Sequence, residues 1–92
     1  MKDHQIIRAR LIRRHLEYLA ERVSEVSGVP LERLLGRDRH KSVARARVHL
    51  YAVLRETGLS YPQIGQILDR DHTTVLKQLQ LHFPERFPRR SR

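Results

Sequence analysis

The sequence lacks cysteine and tryptophan, and it has few aromatic and few acidic residues. Without cysteine, the 92-residue chain can form neither a disulfide nor a thiolate metal site. No apolar run approaches the roughly 20 residues that a membrane-spanning helix needs, and the charged N-terminus has no signal-peptide core. We therefore expect a single small cytoplasmic domain with a modest core and no membrane partner.

Positive charge is what the sequence has in excess. Nineteen basic residues stand against ten acidic ones, giving a formal net charge of +9, and sixteen of the nineteen are arginine. A basic domain of this size is expected to bind a polyanion. Guanidinium groups suit phosphate oxygens and guanine edges. A codon bias toward arginine is an alternative explanation of the Arg/Lys ratio, but it does not explain the net charge.

Hydrophobic periodicity predicts an all-α fold of about five helices. Residues 4–27 are predicted to form one long N-terminal helix, roughly 36 Å in length, that ends at Ser27-Gly28. Ile7, Leu11 and Tyr18 form a second apolar stripe on it, which serves either an interaction or a partly frayed extension. The other predicted helices cover residues 29–36, 43–58, 60–68 and 71–82.

The last two helices have helix-turn-helix proportions. Ser60 and Gln63 are spaced as a capping box, and Gly65 indicates the close approach of another helix. Asp71 is predicted to cap the last helix. In a helix-turn-helix the first residues of the second helix meet base edges in the major groove, which here are His72, Thr73 and Thr74, with Lys77 one turn later. By composition alone, base contact and simple capping remain open for His72 and Thr73.

A second basic feature lies between residues 33 and 47. The loop 37–41 leads into a helix start, where free backbone N–H groups favour phosphate, and we predict Ser42 as its N-cap. An arginine of this loop could also enter a narrow minor groove. The alternative is an ordinary solvated charged loop. The predicted loop contacts are Arg37, Arg39 and Lys41, and the predicted phosphate contacts are Ser42, Arg45, Arg47, Arg55 and Arg70.

Three segments carry a family resemblance. "SVARAR" (42–47), "LSYPQIG" (59–65) and "RDHTTVL" (70–76), in this order and spacing, resemble the C-terminal DNA-binding domain, domain IV, of the bacterial replication initiator DnaA. The resemblance covers about residues 17–81. It implies a small Trp-repressor-like helical domain that binds short duplex sites, with Arg39 in the minor groove and Arg47 near phosphate. It further implies that the motif Asp71, His72, Thr73 and Thr74 contacts the major groove and the adjoining backbone.

The sequence departs from the family pattern at three places. Asp38 replaces a basic residue, Val48 replaces a glutamine and so removes a phosphate contact, and the turn at residues 68–70 lacks the usual glycine. Asp69 tolerates a positive φ better than most residues do, so the turn is expected to survive. These departures bear on the target site more than on the fold.

We divide the chain into an N-terminal extension and interaction segment (1–16), a DNA-binding domain (17–82) and a basic proline-containing tail (83–92). No Walker A string is present and the histidines have no metal-ligand spacing. We therefore expect that the protein is not an enzyme, has no ATPase activity and binds no nucleotide, cofactor or metal.

The predicted function is sequence-specific binding of double-stranded DNA. We expect a bacterial or phage, nucleoid-associated regulator of transcription or of replication-site occupancy. The alternative is an interaction adaptor that dimerises or recruits a partner through residues 4–19, with DNA binding secondary.

Overall fold

The computed structural model describes residues 3–88, which form six α-helices and no strand. The longest helix, α4, packs against four others, α2, α3, α5 and α6, while α1 packs on α3 and α5. The all-α prediction is confirmed, with one helix more than expected. The helices are α1 (Asp3–Arg13), α2 (Glu17–Ser27), α3 (Leu31–Leu35), α4 (Lys41–Glu56), α5 (Tyr61–Leu68) and α6 (His72–His82).

The prediction of one long N-terminal helix is wrong. The chain turns back after α1, where His15 has a left-handed φ of 59°. The amide of Leu16 donates to the Leu11 carbonyl at 2.9 Å and that of His15 to the Ile12 carbonyl at 3.0 Å. This bond pair is the Schellman arrangement that ends helices, with histidine in the place that glycine usually takes. Because His is tolerated there, the break carries only a weak sequence signal.

The turn allows α1 to lie on the rest of the domain. Ile7 and Leu11 are 2% and 0% exposed and belong to the same core as α4 and α5. The interaction role predicted for this stripe is therefore wrong for Ile7 and Leu11, because their surface is already covered. Arg10 fixes the packing by donating from Nη1 to the Gln66 carbonyl, near the end of α5, at 2.8 Å. Residues 3–16 thus pack as part of the domain.

Helix α4 supplies most of the central core. Eight of its residues are buried, and Val48 is among them with 2% exposure. Val48 therefore packs in the core, whereas the sequence analysis considered this position only as a missing phosphate contact. The start of the tail also packs on the domain: Phe83 stacks edge-on against His49 with ring centroids 5.1 Å apart. Residues 89–92 of the predicted tail lie outside the described residues.

Within residues 3–88, each helix is too short or too polar to cross a membrane.

Candidate nucleic-acid interface

Helices α5 and α6 pack together and are joined by the three residues Asp69, Arg70 and Asp71. Asp69 takes a left-handed φ of 56°, which ends α5 without a glycine, as expected. The amide of Arg70 donates to the Gly65 carbonyl at 2.8 Å. The short turn therefore folds directly back over α5.

Gly65 is required by this turn. A Cβ at residue 65 would collide with the Arg70 carbonyl and would lie 3.3 Å from the His72 nitrogen. The close approach predicted for Gly65 is confirmed, although the approaching group is the turn and the first residue of α6 rather than the body of another helix. The capping box of Ser60 and Gln63 at the start of α5 is also present.

Asp71 caps α6, which confirms the prediction. Its carboxylate accepts from the Thr73 amide at 2.8 Å and from the Thr73 hydroxyl. These two hydrogen bonds from Thr73 hold the pKa of Asp71 below its ordinary value. The Thr73 hydroxyl donates to Asp71, so its oxygen remains an acceptor for a base edge or a bridging water.

The first turn of α6 presents polar side chains to solvent. His72, Thr73, Thr74 and Lys77 are all exposed, whereas Val75 and Leu79 on the opposite side are 0% exposed. The His72 side chain retains 58% of its exposure. The four predicted major-groove residues therefore share an accessible helix end, held in place by two core residues.

Helix α5 adds two residues to this region that the sequence analysis did not identify. Pro62 and Gln66 line a cleft of about 470 Å³ together with Asp71 and His72. Pro62 and Gln66 are spaced i, i+4, which puts them on one side of α5. This spacing is the sequence signal by which they could have been found.

The basic loop lies between α3 and α4 and is organised by Asp38. Its carboxylate accepts from the His40 amide at 2.9 Å and from Arg33 Nε at 2.7 Å. The bond from the His40 amide, followed by that from Arg33, lowers the pKa of Asp38. The acid that weakens the charge of the loop also gives it a defined turn.

Arg39 and Lys41 are exposed and, among residues 3–88, have no hydrogen-bond or ion-pair partner. Arg37 is exposed as well, but its guanidinium contacts Asp3 at 2.6 Å and Asp69 at 3.5 Å. The loop thus offers two unpaired cations and a third that is shared between α1 and the helix-turn-helix turn. Free cations are what phosphate contact requires.

The predicted phosphate residues of α4 separate into two groups. Ser42 and Arg45 are exposed. Ser42 is not the N-cap, because α4 begins at Lys41, two residues before the predicted start, and no side chain caps it. Arg55 is half-buried, donates to the Leu59 carbonyl at 3.0 Å and lies 5.0 Å from the Tyr61 ring centroid.

Arg47 was predicted to contact phosphate, but its side chain is buried in the protein. It is 9% exposed. Its Nε donates to the Leu34 carbonyl at 2.9 Å, and one Nη donates to the carbonyls of Arg33 and Gly36 at 3.1 and 3.0 Å. Burial lowers the pKa of Arg47. The side chain thus satisfies the carbonyl end of α3 and faces inward.

Arg70 is also directed toward the protein. One Nη donates to the Leu68 and Asp69 carbonyls at 3.2 and 3.1 Å, and the other donates to the Gly36 carbonyl at 2.7 Å. The Gly36 bond brings the base of the basic loop against the helix-turn-helix turn. The two regions that the sequence separates by some thirty residues are therefore neighbours.

Among residues 3–88, no three His, Asp or Glu side chains cluster in a way that would hold a metal ion.

Two helices joined by a short turn, with a capped and polar start to the second, define the helix-turn-helix class of DNA-binding folds. The chain matches the family described as bacterial DnaA protein helix-turn-helix over residues 16–80, and it belongs to that family. Helix α1 precedes the matched segment.

Individual relatives agree with this assignment. The chain is similar to the chromosomal replication initiator protein DnaA of Acinetobacter baumannii (strain ATCC 17978) and to that of Acinetobacter baylyi. Each is 41% identical over 78 residues, which is 83% of this chain and 16% of the relative. The similarity therefore concerns a small part of those proteins. No solved structure matches the chain significantly.

Proposed function

We propose that the chain binds double-stranded DNA sequence-specifically through two elements. The start of α6 contacts base edges in the major groove through His72, Thr73, Thr74 and Lys77. The loop 37–41 contacts the adjacent minor groove and phosphates, mainly through Arg39 and Lys41. The observation that supports this most is the pairing of an exposed, capped helix start with unpaired loop cations next to the same turn.

The chemistry of each element fits its assigned groove. Hydroxyl and imidazole groups can match the donor and acceptor patterns of the major groove, where each base pair is distinct. Arginine suits the narrow minor groove because of its negative potential. Ser42 and Arg45 extend the same surface along α4 toward phosphate. Arg37 can also contact phosphate, provided that it leaves its ion pairs with Asp3 and Asp69.

The test is a selection from random duplexes with the full chain. We expect enrichment of a short asymmetric motif, since one α6 and one loop contact each site. Fluorescence anisotropy should then show that the enriched duplex binds at least a hundredfold more tightly than a scrambled one, a modest ratio for specific DNA binding. An unenriched pool, together with equal affinities for all duplexes, would reject sequence-specific binding.

We further propose that the chain acts by occupying its DNA sites, either at replication sites or at promoters of the nucleoid. The named relatives are replication initiators, and the matched portion is their helix-turn-helix. Mapping occupied sites across a bacterial genome tests this: enrichment at origins or promoters supports the proposal, and an even distribution contradicts it.

The adaptor alternative retains little surface in α1 and the start of α2. Ile7 and Leu11 are in the core, which leaves Ile12 and Tyr18 as the exposed large apolar side chains of that region. We therefore propose DNA binding as the primary function.

A further inference from the structure

One backbone oxygen connects the two DNA-contacting elements. The Gly36 carbonyl, at the end of α3 and the base of the basic loop, accepts from Arg47 at 3.0 Å and from Arg70 at 2.7 Å. Arg47 belongs to α4, and Arg70 belongs to the turn that leads into α6. Two arginines from different elements thus converge on a single carbonyl immediately before the loop.

We propose that Arg70 is a positioning residue, which fixes the basic loop relative to the first turn of α6 by holding the Gly36 carbonyl against the anchor that Arg47 provides. This inference rests on the proposed function in assuming that both elements contact the same duplex. In this role Arg70 itself makes no base contact. It sets the spacing at which Arg39 and His72 meet the two grooves.

The surroundings of Gly36 support a fixed position. A Cβ at residue 36 would lie 2.8 Å from the Glu32 carbonyl oxygen, so the chain leaves α3 too tightly for any other residue. The space beside the two arginines, enclosed by Leu34, Leu50 and Leu68, has no room for a water molecule. The two arginine side chains are therefore shielded from water on this inner side, where hydrogen bonds are electrostatically stronger than in water.

A second contact between loop and turn is weaker. Arg37 and Asp69 are separated by 3.5 Å, and their side chains are 70% and 57% exposed. Exposed ion pairs of this kind contribute little. The bond from Arg70 is shorter, half-buried and charge-assisted, so it accounts for most of the connection.

A spacing measurement tests this without DNA. The chain has no cysteine, so Arg39→Cys and Leu81→Cys, one in the loop and one on the exposed side of α6, accept spin labels cleanly. Double electron–electron resonance should give a narrow distance distribution, which Arg70→Lys broadens at least twofold. Lysine keeps the charge but loses the fork of donors. An unchanged distribution in Arg70→Lys would overturn the inference.

The matched control is Arg10→Lys. Arg10 also joins two elements through a guanidinium bond to a backbone carbonyl, but that carbonyl belongs to Gln66 of α5 and not to the loop. We expect no broadening from it, and equal broadening in both variants would reduce the effect to general loosening and overturn the inference. If Arg70→Lys does not fold, the wild type decides: slow rotation of the Arg70 guanidinium in NMR spectra supports the bond, and free rotation contradicts it.

DNA binding gives a second readout that a phosphate contact would not produce. In the parent chain, Arg39→Ala should weaken binding about tenfold, and in the Arg70→Lys background less than twofold, because the loop is no longer held in place. Additive losses would contradict the positioning role. If the parent chain shows no sequence-specific binding, the proposed function fails, while the spin-label distances still decide this inference.

Discussion

Arg39 lies in the basic loop and Arg47 lies eight positions later in the first half of α4, and the two differ in exposure and in hydrogen bonding. Arg39 is exposed and unpaired among the described residues, whereas Arg47 is buried with three carbonyls on its guanidinium. Both belong to the same basic run in the sequence. The density of basic residues indicates a polyanion partner, but burial and hydrogen bonding decide which of those residues are free to contact that partner.

Removal of the buried arginine should have the largest effect. Arg47→Ala removes the side-chain donor to the Leu34 carbonyl and one of the donors to the carbonyls of Arg33 and Gly36. It also empties a buried position, so we expect the free energy of unfolding to fall by about 3 kcal/mol. Urea denaturation monitored by circular dichroism measures this. The exposed Arg45→Ala on the same helix should change the unfolding free energy by less than about 0.5 kcal/mol. Equal losses of unfolding free energy in the two variants would contradict a structural role for Arg47 that Arg45 lacks.

Removal of the exposed arginine should affect binding and not stability. Arg39→Ala should weaken binding of the selected duplex about tenfold and reduce the salt dependence of binding by about one unit of slope. Anisotropy titrations at several salt concentrations measure both. Arg14→Ala removes an exposed charge that lies just after α1 and has no partner among residues 3–88, so it serves as control. A similar loss in the control would assign the effect to net charge alone.

At α6 the expected change concerns discrimination between sites. His72→Ala should reduce the preference for one base pair of the site about fivefold, near the lower limit for a single base contact. Titration of duplexes that each differ at one base pair measures this. His82→Ala, at the far end of the same helix, should preserve every preference. Uniform weakening across all duplexes would make His72 a backbone contact.

The smallest effect concerns the cap. Because its folded-state pKa is lowered, Asp71 contributes stability that is present above its unfolded pKa of about 3.9 and is lost as pH falls through the folded value. Asp71→Asn retains an acceptor for the Thr73 amide but should flatten the decline in the urea midpoint below about pH 4. Glu25→Gln removes an exposed acid that has no partner within the described part of the chain, and it should leave that decline in place. If the urea midpoint of Asp71→Asn declines as it does in the parent chain, Asp71 does not contribute to the loss of stability in acid.

The helix-turn-helix could be predicted from sequence because its signals are local. Ser60 with Gln63, Gly65, and Asp71 each act within a few residues, so short stretches of sequence contain the whole signal. The inward position of Arg47 had a signal too, since it lies four residues after Val43 and four before Tyr51 on the core side of α4. The basic run obscured that periodicity.

The break between α1 and α2 could not be predicted in the same way. Helical spacing continues through His15, and the gain that favours the turn is the burial of Ile7 and Leu11 against helices far along the chain. The bond between Arg70 and Gly36 likewise joins residues 34 positions apart. Tertiary packing decides both features, and the local sequence carries at most a weak signal for them.

The most direct test of the two-part contact combines protein variants with groove-specific changes in the selected duplex. Diaminopurine in place of adenine adds a minor-groove amino group, and 7-deazapurines remove a major-groove acceptor. We predict that Arg39→Ala abolishes the sensitivity to the minor-groove change alone and His72→Ala the sensitivity to the major-groove change alone. If neither variant alters either sensitivity, the loop and α6 do not contact the grooves assigned to them.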